Sequence, residues 1–355
     1  MSRFFSKRFS ELEAYTPGEQ PKDAQYIKLN TNESPYPPSD GVLKAVEEEA
    51  KRLQLYSDPE CRDLVSTAAE FFGVGTKNIL MTNGSDEILN FAFTAFGDKD
   101  HPFAFPSLTY GFYPVFAQLN GIPFRQIKIK SDFSVDPSDY ENIGMNIVIA
   151  NPNAPTGLLL STDDIERIAA SNPDNVVVID EAYIDLGGTT ALPLTVKYKN
   201  LLITRTFSKS YSLAGARLGF GIGSEELIAD MNTIKYSTNP YNVNRMTAAA
   251  GRAALKDDAY YKENCRKIIK NREETASRLR DLGFTVTDSK ANFLFASSPK
   301  IGGKDLYLRL KEKGILIRHF SLPEIEDYNR ITVGTEEQNG ALINAIEEIL
   351  KGTEI

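Results

Sequence analysis

The chain of 355 residues predicts an α/β fold: a mostly parallel central sheet covered on both faces by helices, followed by a smaller C-terminal α+β unit. Three observations carry this. Short runs such as Ile147-Val148-Ile149-Ala150 and Val176-Val177-Val178-Ile179 are apolar throughout, as strands buried on both faces require. Stretches with apolar residues at helical spacing lie between them, so strand and helix alternate. Each run also ends in a cluster of polar or conformationally special residues. That places the clusters at one edge of the sheet, where such folds bind ligands.

Taken in order, residues 10–40 are rich in Pro, Gly, Asn and Ser, with Tyr15-Thr16-Pro17-Gly18 and Leu29-Asn30-Thr31-Asn32-Glu33-Ser34-Pro35-Tyr36-Pro37-Pro38. The prolines forbid a helix here and keep the chain extended. Ser39 and Asp40 cap a predicted helix over Val42 to Leu53, and a turn through Leu55-Tyr56-Ser57-Asp58-Pro59 leads to a second ending at Phe72. Ile79-Leu80-Met81-Thr82 then runs into Asn83-Gly84-Ser85-Asp86-Glu87, which opens a helix through Phe96. Phe103-Ala104-Phe105 runs into Pro106-Ser107-Leu108-Thr109-Tyr110-Gly111, and the run from Ile147 into Asn151-Pro152-Asn153-Ala154-Pro155-Thr156-Gly157, with Ser161 capping the next helix. The run from Val176 leads to Asp180-Glu181-Ala182-Tyr183. Leu201-Leu202-Ile203 leads to Thr206-Phe207-Ser208-Lys209-Ser210-Tyr211-Ser212-Leu213-Ala214-Gly215-Ala216-Arg217.

Beyond about residue 240 the texture changes. A charged helix from Asp257 to Leu282 precedes short strands at Asn292–Phe295, Ile315–Arg318 and Arg330–Val333, and a last helix spans Asn339 to Leu350. The predicted division is an N-terminal arm over 1–38 packing on the small domain and active site, a large domain over 39–238 and a small one over 239–355.

Hydrophobic residues at 41% and charged residues at 25% are those of a folded soluble protein, and no apolar run approaches the ~18 residues of a membrane span. The net charge of −8, with no basic tail, argues against nucleic acid as a partner. Small molecules are the better default. Cys61 and Cys265 are the only cysteines, which fits a reducing cytoplasm; the N-terminus has no apolar signal core. His101 and His319, the only histidines, lack metal-ligand spacing, so no metal site is predicted. Acid-base work falls to Lys, Tyr, Asp, Glu or a cofactor.

Gly84, Ser85 and Asp86 at a predicted helix start offer backbone N–H groups and a positive dipole end to an anion. Thr206, Ser208 and Arg217 add hydroxyls and a guanidinium, a set that suits phosphate. On these residues alone Lys209 is either a neutralising cation or a nucleophilic amine, and an ordinary polar loop is the competing reading. The chain has neither a Walker pattern nor a Gly-rich dinucleotide fingerprint, which disfavours nucleotides. A phosphate beside a lysine, with an acid and a tyrosine from another strand end, fits pyridoxal 5'-phosphate. Lys209 would form the Schiff base, Asp180 would pair with the pyridine nitrogen, Tyr183 would bond the ring oxygen and Tyr110 would stack on the ring. Alone, Asp180 reads equally as a helix cap and Tyr110 as a core aromatic.

The run from Thr206 to Arg217 resembles the signature of fold-type I pyridoxal-phosphate aminotransferases of the aspartate aminotransferase superfamily. Leu29 to Pro37, Pro240-Tyr241-Asn242-Val243-Asn244 and Ile315-Leu316-Ile317-Arg318-His319-Phe320 are similar to the histidinol-phosphate branch. The resemblance implies transamination between histidinol phosphate and 2-oxoglutarate. It implies Lys209 as Schiff-base lysine and proton shuttle, Asp180 and Tyr183 on the ring, and Ser85, Asp86, Ser208 and Arg217 around the phosphate. Tyr56 would reach that phosphate from the neighbouring subunit of a homodimer. Arg330 would bind the substrate anion, with Arg318, Tyr15, Asn32, Tyr241 and Asn242 completing the substrate site. Arg217 and Arg205 beside Lys209 would keep its amine neutral. The chain departs from the family pattern at Ala154, where an asparagine usually contacts the ring oxygen, so that Asn153 is expected to take its place. Leu55 and Ser57 flank Tyr56 where arginine and proline are usual. Rival activities within the resemblance are aromatic amino-acid transamination and phosphothreonine decarboxylation. A ligand-sensing domain of a transcription regulator is a distant third, because the pattern begins by residue 15 with no basic DNA-binding domain before it.

Overall fold

The apolar runs form strands where they were predicted, except that the run Ile315–Arg318 is divided between two sheets, and four further strands join them. The computed structural model describes residues 2–10, 12–20 and 25–352. Strand β1 (Ile27–Lys28) precedes helices α1 (Asp40–Ala50) and α2 (Arg62–Phe72). Next come β2 (Ile79–Thr82), α3 (Ser85–Phe96), β3 (Phe103–Pro106), α4 (Phe112–Asn120), β4 (Phe124–Ile127), β5 (Asn146–Ala150), α5 (Thr162–Ser171), β6 (Val177–Asp180), β7 (Leu201–Thr206) and β8 (Gly219–Ile222). Helices α6 (Glu225–Thr238), α7 (Arg245–Lys256) and α8 (Asp258–Asp281) lead to β9 (Thr285–Val286), β10 (Phe293–Ser297), α9 (Gly303–Glu312), β11 (Ile315–Leu316), β12 (Arg318–His319), β13 (Tyr328–Thr332) and α10 (Glu336–Lys351).

Among the described residues the main sheet has the order β2-β8-β7-β6-β5-β3-β4. Its pairings are parallel except around β8, which is antiparallel to both β2 and β7. Strands β4 and β8 escaped the sequence reading for a physical reason. The edge strand β4 exposes Arg125 and Gln126, and β8 alternates glycine with Phe220 and Ile222, so neither shows a continuous aliphatic run.

Period-two alternation divides the inner strands between two layers. Val148, Val178 and Leu202 pack with Ile88, Leu89 and Phe93 of α3 and Phe116 of α4. Ile147, Ile149, Val177, Ile179, Leu201 and Ile203 pack on Ile165 and Ile168 of α5. Each fully buried aliphatic side chain stabilises this arrangement by roughly 1.5–3 kcal/mol, which fixes strand register and with it the position of every strand end.

A smaller antiparallel sheet, β12-β13-β10-β9, lies against α8, α9 and α10, while β1 pairs in parallel with β11. Leu29 enters this second core with Leu294, Ile331, Leu342 and Ile346, so the proline-rich segment is anchored by burial. The predicted boundary after residue 238 needs correction. Val243 and the α7 residues Ala250, Ala254 and Leu255 are buried with Val42, Leu64 and Phe220, so the first core extends through α7.

Gly219 sets how closely β8 approaches the start of α3. A Cβ there would lie 2.4 Å from Gly84 C and from Ser85 N, both backbone atoms that cannot step aside. Gly219→Ala is expected to lower stability by about 1–3 kcal/mol. Gly340→Ala, in α10 with no heavy atom within 4 Å of the added carbon, should raise it by about 0.5–1 kcal/mol. Urea unfolding midpoints of the two variants check this pair.

Candidate active site

Because β8 runs against its neighbours, its beginning lies at the sheet edge where β2 and β7 end, with Gly219 opposite both Thr82 and Thr206. Arg217 stands just before Gly219, Ser85 just after Thr82 and Ser208 just after Thr206, so one reversed strand brings three distant residues together. They line a cavity of about 410 Å³ with Asp86, Tyr110, Asp180, Tyr183, Thr206 and Lys209. A larger hollow of about 710 Å³ between α2, β2 and α6 holds no comparable set of chemical groups.

At one end of the cavity Gly84 adopts φ +79°, and a Cβ on it would lie 2.6 Å from an Arg217 guanidinium nitrogen. The missing side chain is what lets that guanidinium cover the start of α3. Arg217 Nη2 lies 3.2 Å from Asp86 Oδ2, and Tyr110 donates its hydroxyl to Asp86 Oδ1 at 2.7 Å. Burial, then the Asp86 charge, pushes the Tyr110 hydroxyl far above its ordinary value, so it stays protonated as that donor. The Thr206 hydroxyl accepts from Ser208 N–H at 3.1 Å and lies 3.0 Å from Ser208 Oγ. Helix-start N–H groups, a guanidinium and three hydroxyls make this end a receptor for a phosphate dianion.

Asp180 ends β6 at 5% exposure. Tyr113 donates to its Oδ2 at 3.0 Å and Thr204 to its Oδ1 at 3.1 Å, yet the carboxylate takes part in no ion pair among the described residues. Burial raises its pKa to about 6 against those two hydrogen bonds. Lys209 Nζ lies 5.5 Å from the centre of the Tyr183 ring and is likewise in no ion pair among the described residues. Arg205, expected beside it, turns instead to Asp185 and lies 5.4 Å over the Phe72 ring, outside this cavity. Alternation along β7 separates it from Thr204 and Thr206, so the expectation that it helps keep Lys209 neutral is set aside.

Beside the cavity, close to Tyr183, Tyr15 and Tyr110, Arg330 donates from Nη2 to Asn30 O at 3.0 Å, while its buried Nε has no partner among the described residues. Its guanidinium lies over Phe293 and Phe320, and burial pushes its pKa below the ordinary value. No carboxylate neutralises it among the described residues, leaving a cation suited to an anionic substrate. Arg318 donates to the carbonyls of Thr16 and Pro17 at 3.3 Å each, and Tyr15 stacks on Phe112 at 4.2 Å between centroids. Asn32 donates to the Tyr183 hydroxyl at 3.0 Å.

Four predicted residues, Asn153, Asn242, Tyr241 and Tyr56, lie apart from the cavity lining. The Asn153 amide donates to Leu108 O and Thr156 Oγ1 and accepts from Thr109, so its groups are occupied by its own loop and the one after β3, and the cavity wall is Ala154 instead. Asn242, assigned to substrate, is buried and donates to Glu87 at 2.5 Å and Met81 O at 3.4 Å. Tyr241 is stacked on Tyr56 at 4.8 Å, both rings at the surface, with Tyr56 80% exposed. Sequence reasoning missed Tyr113 and Thr204, the donors to Asp180. Signals existed: Thr204 shares a strand face with Thr206, and Tyr113 follows Tyr110 by about one helical turn.

A group carrying a phosphate, an aldehyde, a ring nitrogen and a ring oxygen fits this arrangement. The start of α3 with Arg217 suits the phosphate, the uncommitted Lys209 amine the aldehyde, and the uncompensated Asp180 carboxylate a protonated ring nitrogen. Tyr183 suits the ring oxygen. Fold and site together are those of the pyridoxal-phosphate transferases, and the chain belongs to the class I and II aminotransferase family, whose model matches residues 24–346. It is 50% identical over 353 residues to the histidinol-phosphate aminotransferase of Brachyspira hyodysenteriae, covering 99% of this chain and 100% of that protein. To that of Clostridium acetobutylicum it is 43% identical over 351 residues, covering 99% and 100%. The fold superposes on a Sinorhizobium meliloti histidinol-phosphate aminotransferase solved with pyridoxal 5'-phosphate at a TM-score of 0.89, with 24% identity and 99% of each chain covered.

Because its folded pKa is raised, ionised Asp180 costs the apoprotein stability. The cost is absent below the ordinary carboxyl range near pH 4 and complete above about pH 6. Glu181, raised to about 7 by burial, acts in the same direction. Asp180→Asn should therefore stabilise the apoprotein at pH 8 by up to about 3 kcal/mol, the gain vanishing toward pH 4. Unfolding of wild type and variant at both pH values measures it, and equal destabilisation at both would contradict the assignment.

Proposed function

We infer that the chain is a pyridoxal-phosphate-dependent transaminase that moves the amino group of histidinol phosphate to 2-oxoglutarate, giving imidazole acetol phosphate and glutamate in histidine biosynthesis. The observation that carries this reading is the free Lys209 amine in one cavity with the uncompensated Asp180 and the anion-binding start of α3. Likeness to histidinol-phosphate aminotransferases over nearly the whole chain supports the choice of substrate.

When bound, the cofactor supplies an electron sink for a substrate carbanion. In this reading Asp180 keeps the ring nitrogen protonated, held in orientation by Tyr113 and Thr204. Arg217, Ser208, Thr206, Ser85 and the start of α3 hold the phosphate, and Tyr110 borders the ring. Lys209 anchors the cofactor and, once released, takes the α-proton of the substrate and returns it. Arg330 binds the phosphate of one substrate and a carboxylate of the other. Its unpartnered Nε supports that role, since an anion would satisfy both the hydrogen bond and the charge. Arg318 and Tyr15 border this end. The exposed stack of Tyr56 on Tyr241 supports a homodimer in which Tyr56 completes the neighbour's phosphate site.

Borohydride reduction of the loaded protein should leave the cofactor mass on the peptide containing Lys209, and Lys209→Ala should lose that label together with turnover. Label retained on another lysine would contradict the assignment. In single-turnover mixing, loss of the visible absorption should be fastest with histidinol phosphate. A faster response to phenylalanine or phosphothreonine would replace the substrate named here with an aromatic amino acid or a decarboxylation.

A further inference from the structure

A hydrogen-bond chain of fixed direction runs from the small sheet to Tyr183. Asn32, buried in the N-terminal segment, holds a left-handed backbone at φ 56°, uncommon for any residue with a side chain. Its N–H donates to Thr332 Oγ1 at 2.9 Å. The Thr332 hydroxyl in turn lies 3.0 Å from Asn32 Oδ1, and Asn32 Nδ2 lies 3.0 Å from the Tyr183 hydroxyl. The Thr332 hydroxyl thus accepts the Asn32 N–H and donates its own proton to the amide oxygen. The amide so oriented presents its NH₂ to Tyr183. Tyr183 must accept, and its own proton is left for an acceptor in the cavity that it lines.

The surroundings hold this arrangement in place. Asn292 Nδ2 donates to Asn32 O at 2.9 Å, and Thr332 N–H donates to Leu29 O at 2.9 Å. At the cavity wall Ala154 is apolar, and the Asn153 amide is taken up by Leu108 O and Thr109. Lys209 faces the Tyr183 ring, and Arg330, Tyr15, Tyr110 and Tyr113 are the other charged or titratable groups among the described residues close enough to interact with it.

We propose that Thr332 is a positioning residue for the reaction, acting through Asn32 to make Tyr183 an obligatory hydrogen-bond donor into the cavity. The proposal rests on the reading of the site as a pyridoxal-phosphate site. Without the Thr332 hydroxyl the Asn32 amide is free to turn over, and its oxygen then takes the Tyr183 proton. The ring oxygen of the bound cofactor loses a donor and becomes more basic.

The test uses the holoenzyme and Thr332→Val, which keeps the shape and removes the hydroxyl. The pH midpoint of the bound cofactor's visible absorption should rise by about one unit, and cofactor affinity and kcat should each fall about tenfold. KM for histidinol phosphate should stay within about twofold, because the substrate anion site is untouched. Thr332→Ser should restore all of these, and in a Tyr183→Phe background Thr332→Val should shift the midpoint no further. If Thr332→Val does not fold, Thr332→Ala, which also removes the hydroxyl and leaves the Asn32 amide in place, must show the same rise. A folded Thr332→Val with wild-type midpoint and affinity overturns the proposal. A wild type that develops no visible band with pyridoxal phosphate overturns instead the functional reading beneath it.

Discussion

A carboxylate buried without a cation is an unfinished interaction, and the site is arranged around one. Asp180 has a hydroxyl on each oxygen, which fixes its plane, but neutral donors only partly offset the loss of water. Its two donors come from different elements, Thr204 from the adjacent strand in register with it and Tyr113 from α4. A small displacement of either would free the carboxylate to rotate. Holding a strongly interacting group where no protein charge meets it costs stability, and the cost is justified only if a ligand cation completes the pair.

The same logic recurs at the far end. Arg330 is a half-buried cation in no ion pair among the described residues, so the site sets an unmatched negative charge at Asp180 against an unmatched positive one at Arg330. Lys209 stands in the same cavity as Glu33, close enough for the two charges to interact but in no ion pair among the described residues. The polarity suits a cofactor protonated on its ring nitrogen and a substrate carrying phosphate or carboxylate. Both cores contribute: Asp180 and Lys209 belong to the main sheet, Arg330 to the small one, and Asn32 bridges them from a segment anchored by β1 and Leu29.

Much of this was legible in the amino-acid sequence. Strands buried on both faces print as continuous aliphatic runs, and their polar endings fall at one sheet edge by topology, so Asp180, Lys209 and Ser208 could be grouped before any coordinates. What escaped depended on direction and side-chain orientation. The reversal of β8, which brings Arg217 to Gly84, is hidden in a glycine-rich strand with little aliphatic signal. Arg205 looked like a neighbour of Lys209 because the two are close along the chain, but alternation sends it to Asp185. Asn153 looked like a ring contact by position in its motif. The loop after β3 engages its amide instead, and the amide that meets Tyr183 arrives from Asn32. Such long-range hydrogen bonds leave no local pattern to read.

The central claim is that Asp180 is the counter-charge of a protonated ring nitrogen. The most direct test compares the affinities of wild type and Asp180→Asn for pyridoxal phosphate and for its analogue with carbon in place of the ring nitrogen. Wild type should bind the nitrogen-containing cofactor at least about tenfold more tightly, and the variant should bind the two nearly equally. Equal affinities in wild type would mean that the buried carboxylate does not meet the ring nitrogen and would contradict this account of the site.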